Sequence, residues 1–278
     1  MKTIRCLLFV SLVYSQIAAP ACLLNMGYKY GAKLPLINLA PDNNGAYLEL
    51  FTIAASKIGC ELNVVRTSKK RLHLYFNDGS LDFYPGASYS KERRKYLYYI
   101  ENGFDTSEYG ITPLGYAEIE GYQQVKKLGL TWLQEIGSSK KGIANSNNIQ
   151  IMTLNSVSIK VIQRLFAKDR AQFAVIDKEL YDYYLKTNNI KTLKSLGLKI
   201  HKNCCGGNKP MYLGFSRFSS HYCETVNTSY NSLLPITAEN DPKRPTDTSI
   251  AYQLQQALIK MKHKGTIDKI YRKYFLGD

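Results

Sequence analysis

The chain of 278 residues holds one tryptophan, four histidines and only 22 acidic residues against 37 lysines and arginines. No histidine stands in an HExxH pair, and neither a GxSxG turn nor a GxxxxGK phosphate loop occurs. The familiar zinc-protease, serine-hydrolase and nucleotide-hydrolase signatures are therefore missing. Low-complexity tracts and solenoid repeats are missing too, which excludes fibrous and repeat architectures. Past the N-terminus no stretch approaches the roughly 20 apolar residues that a bilayer crossing needs, so a multispan membrane protein is excluded. What remains, with 45% of residues hydrophobic and 21% charged, is an ordinary globular composition, long enough for one large domain or two small ones.

The shortage of acids leaves a formal net charge of +15. Basic residues are dense only at Ser68–Arg71 and Lys91–Lys95, so a solvated basic surface is expected and no nucleic-acid partner. Lys2 and Arg5 precede an apolar run from Cys6 to Tyr14, and Ala19-Pro20-Ala21 offers small residues where a signal peptidase reads. Residues 1–21 are thus read as a signal peptide and the mature chain as periplasmic. A membrane anchor is the first alternative, for which the run is short. Lipidation of Cys22 is the second, and Pro20 fits its cleavage pattern poorly.

Export leaves five cysteines, Cys22, Cys60, Cys204, Cys205 and Cys223, an odd number. Cys22 and Cys60 each open an apolar stretch. If these stretches are neighbouring parallel strands, a Cys22–Cys60 disulfide is geometrically reasonable, and lipidation of Cys22 would forbid it. Cys223 is expected to bond Cys204 or Cys205 across the base of an insertion, with Cys205 and Cys223 as the candidate pair. That pairing is preferred to a metal site with His201 and His221, whose spacing matches no standard module. No metal and no cofactor are expected.

Hydrophobic periodicity gives strands at Leu23–Gly27, Leu62–Val65 and Leu81–Tyr84, alternating with helices at Tyr47–Ile58 and Arg71–Phe76. Gly59 stands in the usual stop position. The alternation restarts with Trp132–Ile136 ahead of a strand at Lys141–Ala144, a helix at Val157–Phe166, a strand at Phe173–Ile176 and a helix at Lys178–Lys186. Met211–Phe215 adds a strand, and Ser249–Met261 and Ile267–Tyr274 add two helices, with Ser219–Thr248 an irregular insertion before them. Strands alternating with helices imply an α/β protein of parallel sheets flanked by helices.

Several motifs then coincide in order and spacing: Gly45-Ala46-Tyr47-Leu48-Glu49-Leu50, Asp78-Gly79-Ser80-Leu81-Asp82, Ser88-Tyr89-Ser90-Lys91-Glu92-Arg93, and Leu258–Tyr274 with its Lys264-Gly265-Thr266 break. Together they make the chain resemble the bacterial extracellular solute-binding protein family 3, the amino-acid receptors of ABC importers. The resemblance implies a two-lobed, type II periplasmic-binding-protein-like fold, each lobe a mainly parallel sheet flanked by helices, with two interlobe crossovers. Lobe 1 would hold residues 22–108 and 213–278, with an insertion at about 219–248, and lobe 2 residues 109–212. It further implies a monomer that captures a small polar solute, an amino acid or related carboxylate, by hinge closure and delivers it to a membrane permease.

Carried over residue by residue, the resemblance makes Arg93 the anchor of a ligand carboxylate, which a planar guanidinium suits, with Arg94 the alternative one position on. Ser88 and the backbone of Gly86 would bind further polar groups. Asp177, after a buried strand, would pair with a ligand ammonium or else cap the following helix. Asn147 would stand where the family has a threonine, and Tyr30 near an aromatic wall. Two other function classes are carried: an enzyme on the same fold, dehydratase-like, for which no catalytic motif is found, and a sensor that docks a protein partner through the insertion.

Overall fold

The computed structural model describes residues 22–276; the expected signal peptide lies outside the described residues. The chain starts with β1 (Cys22–Lys29), α1 (Ala46–Ser56), β2 (Cys60–Thr67), α2 (Lys69–Asn77), β3 (Phe83–Ala87) and the long β4 (Leu97–Thr106). One residue, Ser107, separates β4 from β5 (Glu108–Pro113), which belongs to a different sheet. There follow α3 (Tyr122–Lys127), β6 (Trp132–Glu135), α4 (Lys141–Ser146), β7 (Ile151–Leu154), α5 (Ile159–Phe166), β8 (Ala174–Asp177), α6 (Lys178–Thr187) and β9 (Leu198–His201). The chain returns to the first sheet in β10 (Lys209–Ser216), forms a small hairpin from β11 (Glu224–Val226) and β12 (Lys243–Pro245), and ends in α7 (Ile250–His263) and α8 (Thr266–Tyr271).

The first sheet has the order β2-β1-β3-β10-β4, with β2, β1 and β3 parallel and β10 running against both neighbours. In the second lobe β5 runs against β8 and β9, while β6 and β7 are parallel and a bridge from Trp132 to Phe173 joins them to the rest. Each lobe has its own core. Leu24 and Met26 of β1 meet Leu50 and Phe51 of α1 and Leu254 and Leu258 of α7 in one. Leu133, Ile162 and Leu198 meet in the other, beside Trp132 stacked on Tyr122. Ser68, Ser158 and Ser249 each accept a backbone N–H of the first turn of α2, α5 and α7, satisfying donors that a helix start leaves unpaired. Among the described residues no helix is long and apolar enough to cross a membrane.

Two sequence expectations are corrected in lobe 2. Residues Lys141–Ser146 form helix α4, and the strand is Trp132–Glu135 ahead of it. Trp132 and Leu133 are buried on opposite sides of this strand, whereas Lys141, Gly142 and Ile143 are exposed. Cys205 does not reach Cys223: it bonds Cys204, while Cys223 is free and exposed. Cys204 is packed into the core of lobe 2, and Cys223 heads the β11 hairpin beside the lobe 1 core residue Tyr222, so the two sulfurs belong to different lobes. The Cys22–Cys60 disulfide is present, because β1 and β2 pair in parallel with those two residues in register, Cα atoms 4.7 Å apart.

Candidate ligand-binding site

The carboxyl ends of β1, β3, β6 and β8 converge on the crevice between the lobes, the place where open α/β sheets receive ligands. Two contiguous cavities of about 520 and 640 Å³ fill this crevice and share Lys33, Gly86, Ser88, Glu108, Lys140 and Asp177 among their walls. Gly86 is required for its shape: a Cβ there would come within 2.8 Å of the Tyr47 hydroxyl, so any side chain would collide with the wall. Arg93 leaves β3 on a short helical turn whose backbone N–H is capped by Ser90 Oγ at 3.4 Å. Its Nη2 crosses the crevice and donates to the Gly137 carbonyl at 2.6 Å. Gly137 presents that carbonyl just past β6 with φ at 77°, a left-handed turn that glycine adopts without strain.

Ion pairs join the lobes on either side of Arg93. Glu135, at the end of β6, receives Lys29 at 2.8 Å and Lys69 at 2.9 Å, both from lobe 1. Asp177, at the end of β8, receives Lys33 at 2.7 Å. At the crossovers, Glu108 receives Lys140 at 2.5 Å and Lys209 at 2.9 Å. Burial lowers the Lys69 ammonium, with Lys29 and Arg93 adding to the effect, and Glu135 only partly offsets them, so its pKa falls to about 8. Burial also pushes Lys140 down, and Lys209 adds to it. For Asp177 burial acts upward, but Lys33, Lys140 and Lys209 overrule it and hold the carboxyl below its ordinary range. His73, one turn along α2 from Lys69, is held neutral with a pKa of about 3 by burial, then by Arg93 and Lys69.

The structure thus brings Arg93, Asp177, Ser88 and Gly86 to one crevice. Asp177 also occupies the N-cap position of α6 but makes no side-chain cap bond, its carboxylate being directed to Lys33. Arg94 turns the other way, to Asp241 of the insertion. Asn147 ends α4, where its amide donates to Ile143 O and accepts from Gln123, and it lines neither cavity. After β6 the turn facing the crevice is Gly137-Ser138-Ser139 instead. Tyr30 is 54% exposed and lines neither cavity. Sequence reasoning passed over Lys29, Lys33, Lys69, Glu108, Gln134 and Glu135. For Lys29 and Glu135 the signal was available, since each closes a parallel strand on the side where crevices form. Gln134 is 4% exposed in the cavity wall, and neither atom of its amide has a hydrogen-bond partner among the described residues.

The family model for bacterial extracellular solute-binding proteins, family 3, matches residues 35–277. The chain belongs to that family. No curated protein matches this solute-binding protein in sequence. Among solved structures it is similar to an ancestral arginine-binding protein bound to arginine, with 18% identity, 91% of this chain and 98% of that one covered, and a TM-score of 0.61. An ABC uptake transporter substrate-binding protein from Streptococcus pneumoniae with bound histidine shares 17% identity over 92% and 93% of the chains, TM-score 0.65. The GluR0 ligand-binding core from Nostoc punctiforme, in complex with L-glutamate, shares 15% over 91% and 98%, TM-score 0.64. At these identities the likeness establishes the fold, a type II periplasmic-binding-protein architecture.

Proposed function

We propose that this solute-binding protein is a periplasmic receptor that captures a small polar solute, an amino acid or related carboxylate, between its lobes and hands it to the permease of an ABC importer. The observation that carries the reading is Arg93, set on the turn between β3 and β4 and reaching across the crevice to a backbone carbonyl of the other lobe. A carboxylate offers a guanidinium two charge-assisted hydrogen bonds, so a ligand can replace the neutral Gly137 carbonyl as its partner at a gain. Ser88 and the Gly86 backbone stand beside it to take further polar groups, and rotation about the crossovers closes the lobes on the solute. The neighbours that bind arginine, histidine and glutamate support the size and polarity of the ligand. The Cys22–Cys60 disulfide suits an oxidising compartment.

The test is a thermal-shift screen of residues 22–278 against amino acids and small carboxylates, repeated with Arg93→Ala. A solute at 100 times its dissociation constant stabilises by about 2.7 kcal/mol. A rise in melting temperature that disappears in Arg93→Ala upholds the reading. Chemical turnover of a bound solute, or a rise that survives the substitution, removes it.

A further inference from the structure

The charges of the crevice fall into four groups. Lys29 and Lys69 share the one carboxylate of Glu135, leaving one positive charge. Lys140 and Lys209 share Glu108, leaving another. Arg93 faces a neutral carbonyl, which leaves a third. Lys33 and Asp177 cancel. The exposed rim residues Lys91, Lys160 and Glu92 raise the excess by one more. The carboxylate placed to take a ligand's ammonium is therefore already occupied by an ammonium of the protein's own chain. A ligand ammonium entering there gains nothing that Lys33 does not already provide, and it strands Lys33, whose side chain is only 22% exposed, without a counterion. A ligand anion, in contrast, meets three uncompensated cations and, in Gln134, a buried amide whose N–H groups have no acceptor among the described residues.

Resting on the receptor reading above, we infer that the crevice selects small solutes carrying at least two negative charges and no ammonium group. Lys33 acts as a built-in substitute for the ammonium of an amino acid and turns the site toward dicarboxylates or comparable oxyanions.

The test is calorimetric titration of residues 22–278 with glutarate, 2-oxoglutarate, citrate, inorganic phosphate and the twenty amino acids. Glutarate and L-glutamate share a skeleton and differ by the ammonium, so their ratio isolates the effect. The expected result is that at least one of the dianions binds 10-fold or more tightly than any amino acid, with glutarate ahead of L-glutamate. Separate titrations with phosphate and with the dicarboxylates tell the two oxyanion sources apart. Tighter binding of an amino acid overturns the inference and leaves the receptor reading in place; binding by no member of either group overturns both. Lys33→Gln, which frees Asp177, should move the L-glutamate to glutarate ratio at least 10-fold toward glutamate. An unchanged ratio in a folded variant overturns the role given to Lys33. If that variant does not fold, Lys33→Gln with Asp177→Asn removes the pair without altering net charge and should keep the preference for the dianion; a reversal there overturns the inference.

Discussion

Two ionic networks in this molecule, one of arginines and one mainly of lysines, differ in their balance. At the insertion, Asp241 receives Arg94 and Arg217, each at 2.7 Å, and Arg217 also holds Glu224 at 2.5 Å. Two guanidiniums meet two carboxylates there, and Asp241 also accepts the Lys243 backbone N–H. In the crevice, six cations meet three carboxylates, with Arg93 on a neutral carbonyl. A closed balance is complete as it stands and serves structure; an open one is finished only by something from outside. Arg93 and Arg94 are adjacent in sequence, and the short turn that carries them sends one to each network.

The strongest way to separate the networks is Asp241→Ala. With its side chain 6% exposed, Arg94 left without a carboxylate and Arg217 left with Glu224 alone, removal should destabilise by about 3–5 kcal/mol in urea unfolding and leave solute affinity unchanged. Arg93→Ala should do the opposite: a loss of solute affinity of about 100-fold by calorimetry, with a stability change within about 1 kcal/mol. Glu135→Gln sharpens the contrast. It leaves Lys29 and Lys69 unpaired and should lower the stability of the solute-free protein by about 1–3 kcal/mol, which a saturating dianion then largely restores. No small anion should rescue Asp241→Ala.

A pH series gives a smaller effect. Lys69 faces Glu135, Lys29, Arg93 and His73, and with its pKa near 8 it is charged at pH 7 and largely neutral at pH 9.5. Anion affinity should accordingly fall several-fold across that interval, and the fall should flatten in Lys69→Met. Because the folded pKa lies below the ordinary 10.5, the unfolded chain binds more protons between about 8 and 10.5. The stability of the wild type relative to Lys69→Met should rise with pH in that window. The smallest effect belongs to the exposed pair Lys178–Asp182, where Asp182→Asn should change stability by about 0.5 kcal/mol or less.

The alternation of strands and helices, the Cys22–Cys60 pairing and the approach of Arg93, Ser88, Gly86 and Asp177 to one crevice were legible, because each rests on short-range pattern or on the rule about strand ends. The crossing between lobes came only from the family resemblance, which put it at 108/109, and not from any local pattern. Leu97–Ile100 of β4 are buried without alternation, so no period of two marks that strand, and Ser107 is a single residue without a turn signal. In lobe 2 an exposed helix, Lys141–Ser146, carries Ile143 and Ala144 and imitates a short apolar strand, which shifted the expected site to Asn147. The lysines of the crevice were hidden for another reason. Lys29 and Glu135 are 106 residues apart, and a lysine destined for a long-range pair looks in sequence like one destined for water.

The bend at Ser107 has a mechanical meaning. Its carbonyl accepts the backbone N–H of Lys178 at 2.7 Å, and its neighbour Thr106 donates to Glu179 at 2.5 Å, so the start of α6 is fastened to the crossover about which the proposed closure would turn. Asp177, one residue before that fastening, sits near the pivot, where a given rotation produces the least travel. The Arg93–Gly137 contact, by comparison, joins the turn after β3 to the turn after β6 and is made by no residue of the crossover. If the proposed closure turns about this crossover, a reporter pair across residues 93 and 137 is expected to register opening more strongly than one across residues 33 and 177.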